Sequence, residues 1–171
     1  LSWMYIGCAC FLLIALFTDI RSMKIPNKLT IPTILSGLIL HGYSDGWAGI
    51  LFAAAGLGTG FGLLFILYWV GAVGAGDVKL FGGIGAWTGV AFVLHAAFYS
   101  ILYAGLVGVI MLLWRREMVG RLRSLLLQIG GFLLLRSKVA LAAGRDSYLR
   151  FPFMIAVIPG VISTYFYLIH A

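Results

Sequence analysis

Charge is scarce in this chain. Asp, Glu, Lys and Arg make up 10% of its 171 residues, and only five are acidic, against about a quarter in ordinary soluble domains. That shortage excludes a water-soluble globular fold. Cysteine is nearly missing too: Cys8 and Cys10 are the only two, separated by one residue in an apolar run. On a helix such a pair points to different faces, so a disulfide framework is excluded. With no C-x-x-C pair, a structural zinc site is excluded as well.

Apolar side chains fill the space that charge leaves. The chain is 63% hydrophobic, with a mean hydropathy of +1.09, so its solvent is a bilayer. At roughly 20 residues per span, the length accommodates a single polytopic domain over residues 1–171. The opening run lacks the basic flank of a secretory signal and reads as the first span.

The net charge of +7 raises the question of nucleic acid, and the placement of the basic residues answers it. Arg21, Lys24 and Lys28 follow the first apolar run and Lys79 follows the third. Arg115, Arg116, Arg121, Arg123, Arg136, Lys138, Arg145 and Arg150 follow the fifth, which completes the 12 Lys and Arg. Alternate loops carry all of them. This is the positive-inside pattern of a plasma (inner) membrane protein, and no nucleic-acid partner is expected. Anionic lipid at the cytoplasmic face is the natural counterpart.

The pattern predicts an all-α protein of six transmembrane helices. They run over about 2–18, 29–40, 47–71, 74–87, 91–114 and 151–169, with the 88–89 boundary the least defined. The second is short, with Pro32 in its first turn, where a missing N–H costs little. Pro159 is expected to kink the sixth. Glycines at 56, 58, 60 and 62, and again at 82, 83 and 85, predict close helix packing and leave a homo-oligomer open. Residues 115–147 are basic and amphipathic. Their apolar stretch from Ser124 to Leu135 is about 18 Å long as a helix, too short to span, and reads as a cytoplasmic surface segment. Six spans place both termini outside and the basic loops inside.

Five acids can be weighed one by one. Asp45 lies in an outer loop, and Glu117 and Asp146 lie among arginines, all with ordinary solvated roles. Asp19 ends the first predicted helix and Asp77 begins the fourth, both at the cytoplasmic boundary. Each has a structural reading: Asp77 as a first-turn helix acid, Asp19 as a partner of Arg21 or Lys24. Carboxylates at that depth are costly unless paired, wetted or protonated, which makes them functional candidates. Two carboxylates in one site can share a proton, so that one activates water while the other polarises a carbonyl. His41, His95 and His170 all fall near the outer ends of helices, far from any inner nucleophile, and read as interfacial side chains; no Ser has a His and an acid on the same side. No metal or cofactor is expected. Gly74 and Gly76 leave bare backbone beside Asp77, and Lys79 adds positive potential there.

At these residues the chain resembles the type IV prepilin peptidases, intramembrane aspartyl proteases with a G-x-G-D signature. Gly74-Ala75-Gly76-Asp77-Val78-Lys79 is similar to the segment around that family's second aspartate. Asp19-Ile20-Arg21 with Lys24-Ile25-Pro26-Asn27 is similar to the segment of the first. The resemblance implies catalytic Asp19 and Asp77, with Arg21, Lys24, Pro26, Asn27, Gly74, Gly76 and Lys79 shaping the site. It implies prepilin, pseudopilin or archaellin precursors as substrates, cut just before their apolar helix at the cytoplasmic face. Larger members carry a cysteine-bearing insertion between the first two helices and also N-methylate the product. This chain has no cysteine in that connection, so methyl transfer is not expected. Two other classes stand beside the peptidase. A proton-coupled transporter would place an acid near mid-helix, and a noncatalytic assembly subunit would tolerate loss of either carboxylate.

Overall fold

A computed structural model describes residues 2–22, 25–114 and 153–170. The predicted amphipathic segment at 115–147, together with Lys24 and Pro152, lies outside the described residues. One compact unit comprises residues 1–104 and 152–171; a second covers 105–151, of which the helical residues 105–114 are described.

Every regular element among the described residues is helical: α1 (Ser2–Ser22), α2 (Asn27–Trp69), α3 (Ala75–Trp114) and α4 (Met154–His170). The first three are long and apolar enough to cross a membrane, and α4 is a shorter apolar helix. At 1.5 Å per residue the 43 residues of α2 would make a rod of about 64 Å, twice the hydrocarbon thickness. The helix does not run straight. Gly46 adopts φ 61°, ψ −136°, and beyond it the chain turns back, since a Cβ on Gly49 would collide with the carbonyl of His41, eight residues earlier. In α3 the break is Gly89, at φ 80°, ψ −179°. A Cβ on Gly60 would meet both Phe81 and Val93, which a straight helix would hold about 18 Å apart. Both positive φ values fall on glycine because a Cβ would be strained there. The described residues therefore contain six helical segments.

Several boundaries differ from the sequence expectation. The first helix runs on to Ser22 rather than stopping at Thr18, so Asp19 lies one turn inside it. Polar residues leaving an apolar span do not end a helix; the barrier is Pro26, which instead starts α2 by accepting the N–H groups of Leu29 and Thr30 at 3.0 and 3.3 Å. The second segment begins at Asn27 and continues to the Gly46 break, well past Leu40, and Pro32 lies inside the helix rather than in its first turn. The third ends at Trp69. There Gly71 (φ 83°) donates to the Tyr68 carbonyl and Ala72 to that of Leu67, both at 2.9 Å, a Schellman stop. The last helix, with Pro159 inside it, is continuous from Met154 to His170.

The centre of the bundle is the first half of α3, where every residue from Leu80 to Trp87 is buried. Small residues make this possible. Gly56 and Gly85 face each other with no room for a Cβ on either, and Gly60 lies against the carbonyl of Phe81. These contacts step by four residues in opposite directions, the register of two antiparallel helices in close approach. Gly58 and Gly62 have nothing within 4 Å, so only half of that glycine run serves packing. The outside is apolar: Phe17, Ile39 and Ile66 are each more than 60% exposed, as suits helices solvated by lipid. Cys8 is buried and Cys10 exposed, both free.

One histidine departs from expectation. His41 is 1% exposed rather than interfacial, with Nε2 3.1 Å from the Trp87 carbonyl and its ring against Phe52. The contact ties the α2 segment before Gly46 to the α3 segment just before the break at Gly89.

Candidate active site

The described site residues predicted from the sequence lie at three helix ends, the end of α1 and the starts of α2 and α3, and the start of α4 joins them. Asp19 is buried, at 5% exposure, in the last turn and a half of α1. Its Oδ2 accepts the backbone N–H of Met154 at 3.0 Å. Met154 is the first residue of α4, and Phe153 before it accepts the N–H groups of Ala156 and Val157. The Met154 N–H is thus one of the donors that a helix start leaves without an intrahelical partner. Asp19 satisfies it from 135 residues away. Phe153 stays close to the bundle centre through its ring contact with Phe81, centroids 6.4 Å apart.

Asp77 is half-buried in the first turn of α3. Its Oδ2 accepts the N–H of Gly74 at 2.9 Å, while the Gly74 carbonyl accepts from Asp77 and Val78. This is the acidic half of a capping box, so the structural role expected of a first-turn acid is present. The same bond fixes the side chain and leaves Oδ1 for other work. Asp19 lies within electrostatic reach of Asp77. The two acids, 58 residues apart in the sequence, thus lie in the same region of the fold.

Around them the other predicted residues take distinct places. Lys79 donates from Nζ to Asn27 Oδ1 at 2.7 Å, tying the start of α3 to the start of α2. Pro26 forms the cap position of α2 with extended backbone, φ −72° and ψ 143°. Arg21 is exposed, and among the described residues no ion pair joins it to Asp19. Gly74 is open apart from the Asp77 carboxylate, whereas the space at Gly76 is taken by Ile25, 3.3 Å from where a Cβ would stand. The bareness at Gly76 serves the chain's own packing. Sequence reasoning missed Met154 and Ile25. A backbone donor carries no side-chain signature, and Ile25 is one apolar residue among many.

Such an arrangement of broken, glycine-packed apolar helices with two acids at adjoining helix ends defines a helical membrane protein with a carboxylate pair. Residues 6–112 match the model of the type IV leader peptidase family, and the chain belongs to that family. It is 37% identical over 102 residues to the prepilin leader peptidase/N-methyltransferase of Bacillus subtilis (strain 168), covering 57% of this chain and 40% of that protein. With the protein of the same name from Escherichia coli (strain K12) it shares 33% identity over 87 residues, 47% of this chain and 38% of the relative. The one from Xanthomonas campestris pv. campestris is 29% identical over 154 residues, 84% and 52% respectively. This chain thus spans about two fifths to one half of these relatives. No solved structure matches it.

Proposed function

We propose that the chain is a membrane-embedded aspartyl endopeptidase that removes the leader of prepilin-like precursors, with pseudopilins and archaellins in the same substrate class, at the cytoplasmic membrane face. The observation that carries this reading is that Asp19 and Asp77, within electrostatic reach of one another, are each held by a backbone N–H at a helix start. Membership in the leader peptidase family supports the substrate class.

In this mechanism the pair shares one proton. The ionised carboxylate takes a proton from water, whose oxygen attacks the scissile carbonyl. The protonated carboxyl donates to the carbonyl oxygen as it becomes an oxyanion. Collapse of the tetrahedral intermediate breaks the C–N bond, and the amine leaves with a proton returned by the pair. Neither step needs a metal or cofactor.

Six spans with residues 2 and 170 at the outer face accompany the proposal. The breaks at Gly46 and Gly89 support it by dividing two overlong helices into segments nearer bilayer length. Methyl transfer, part of the relatives' name, is not assigned to this chain, because the connection over residues 23–26 contains no cysteine. Co-expression with a prepilin from the same source, comparing wild type with Asp19→Asn and Asp77→Asn by product size, tests the reading. Normal cleavage by either variant would refute the dyad.

A further inference from the structure

The two helices joined at the site by the Asp19–Met154 hydrogen bond meet again at the other end, through Tyr5 and Tyr165. Between them lies an apolar cavity of about 670 Å³. Ile6, Ala9 and Leu13 line it from α1, spaced i, i+3, i+7, and Ile158, Ile162 and Tyr165 line it from α4, spaced i, i+4, i+7. Each helix thus offers one continuous stripe. Its far end is aromatic, where Tyr5 meets Tyr165 edge-on with centroids 5.3 Å apart. Ile6, Leu13 and Ile162 are at least half exposed, so the cavity is a groove open on the outer surface of the bundle.

From this geometry we infer that the groove receives the apolar helix of the substrate. The inference rests on the peptidase reading and adds where the substrate docks. Both walls lead to the site: Leu13 precedes Asp19 by six residues and Ile158 follows Met154 by four, about 9 Å and 6 Å of helix. A helix lying in the groove therefore has its cytoplasmic end at the carboxylates, where a bond just before an apolar helix would be cut. From Tyr5 to Leu13 the wall is about 12 Å long, two turns of a helix, enough for anchors at i, i+3 or i+4, and i+7. A lipid chain is the weaker occupant on physical grounds. Acyl chains are as apolar in the bilayer as in the groove, so nothing drives one in preferentially, whereas a helix gains side-chain packing.

Photocrosslinking in vesicles tests this. Benzoylphenylalanine is placed at Ile162, or at exposed Ile39 on α2 as a control, in the full chain carrying Asp77→Asn. The probe is a prepilin from the same source. The expected result is a crosslink from position 162 to the prepilin's apolar helix, located by mass spectrometry, and none from position 39. Crosslinking of lipid alone, or equal labelling from both positions, overturns the assignment. In the otherwise unsubstituted chain, Ala9→Trp should fill the groove and raise KM for the prepilin at least tenfold with kcat within about twofold. A variant that remains folded by thermal unfolding yet cleaves with wild-type KM overturns it also. Failure of the peptidase reading is visible separately, because Asp77→Asn would then still cleave.

Discussion

The Asp19 carboxylate accepts the first backbone N–H of α4, at Met154, 3.0 Å away. This bond closes the bundle, since it joins the end of the first helix to the start of the last. It also brings a functional candidate and a structural requirement together in one side chain, and suitable substitutions can separate the two.

Asparagine keeps a carbonyl oxygen that can accept from Met154, whereas alanine leaves that buried N–H unpaired. Asp19→Asn is expected to abolish cleavage while unfolding near the wild-type temperature. Asp19→Ala should abolish cleavage and also lose about 1–3 kcal/mol of stability. Parallel cleavage and thermal unfolding assays in detergent check both halves.

A shared proton imposes a bell-shaped pH dependence. At low pH both aspartates are protonated and no base remains; at high pH both are ionised and no acid remains. Cleavage by purified protein in vesicles should therefore fall on both sides of an optimum. A rate that rises to a plateau with increasing pH would argue against the dyad.

The bond from Lys79 to Asn27 ties together the two helix starts beside Asp77. Lys79→Met and Asn27→Ala should each slow cleavage severalfold, and the double variant should be no slower than the more affected single one, because the two act as a unit. Multiplying effects in a cleavage-rate cycle would show that the two side chains act independently.

Glycine positions should divide by their neighbours and not by their spacing in the sequence. Gly56→Ala drives a Cβ into the Gly85 carbonyl, which is backbone and cannot swing aside, and should cost about 1–3 kcal/mol. Gly58→Ala meets nothing within 4 Å and should be neutral or stabilising by up to about 1 kcal/mol. Thermal unfolding of the two variants decides.

The residue pattern places His41 at a membrane interface, yet the side chain is buried against Trp87 and Phe52. His41→Ala should lower stability by about 1–3 kcal/mol through the lost contact with the Trp87 carbonyl, measured by chemical unfolding in mild detergent.

Much of this protein is legible from residue order because a bilayer imposes simple rules. Apolar runs must be long enough and helical, since unsatisfied backbone is too costly in lipid. The rarity of acids then leaves Asp19 and Asp77 as the candidates on sequence grounds alone, and the G-x-G-D segment carries the resemblance. Helix ends are less legible. A polar residue can extend a helix out of an apolar run, as from Asp19 to Ser22. Tertiary structure alone decides which glycines pack, because contact depends on the face a partner helix presents, and Gly56 and Gly58 look alike in sequence. It alone decides that His41 is buried, and that the partner of Asp19 is a backbone N–H 135 residues away. Every residue except proline carries the same N–H, so no sequence pattern distinguishes the one at Met154; only the arrangement of helix ends in space does.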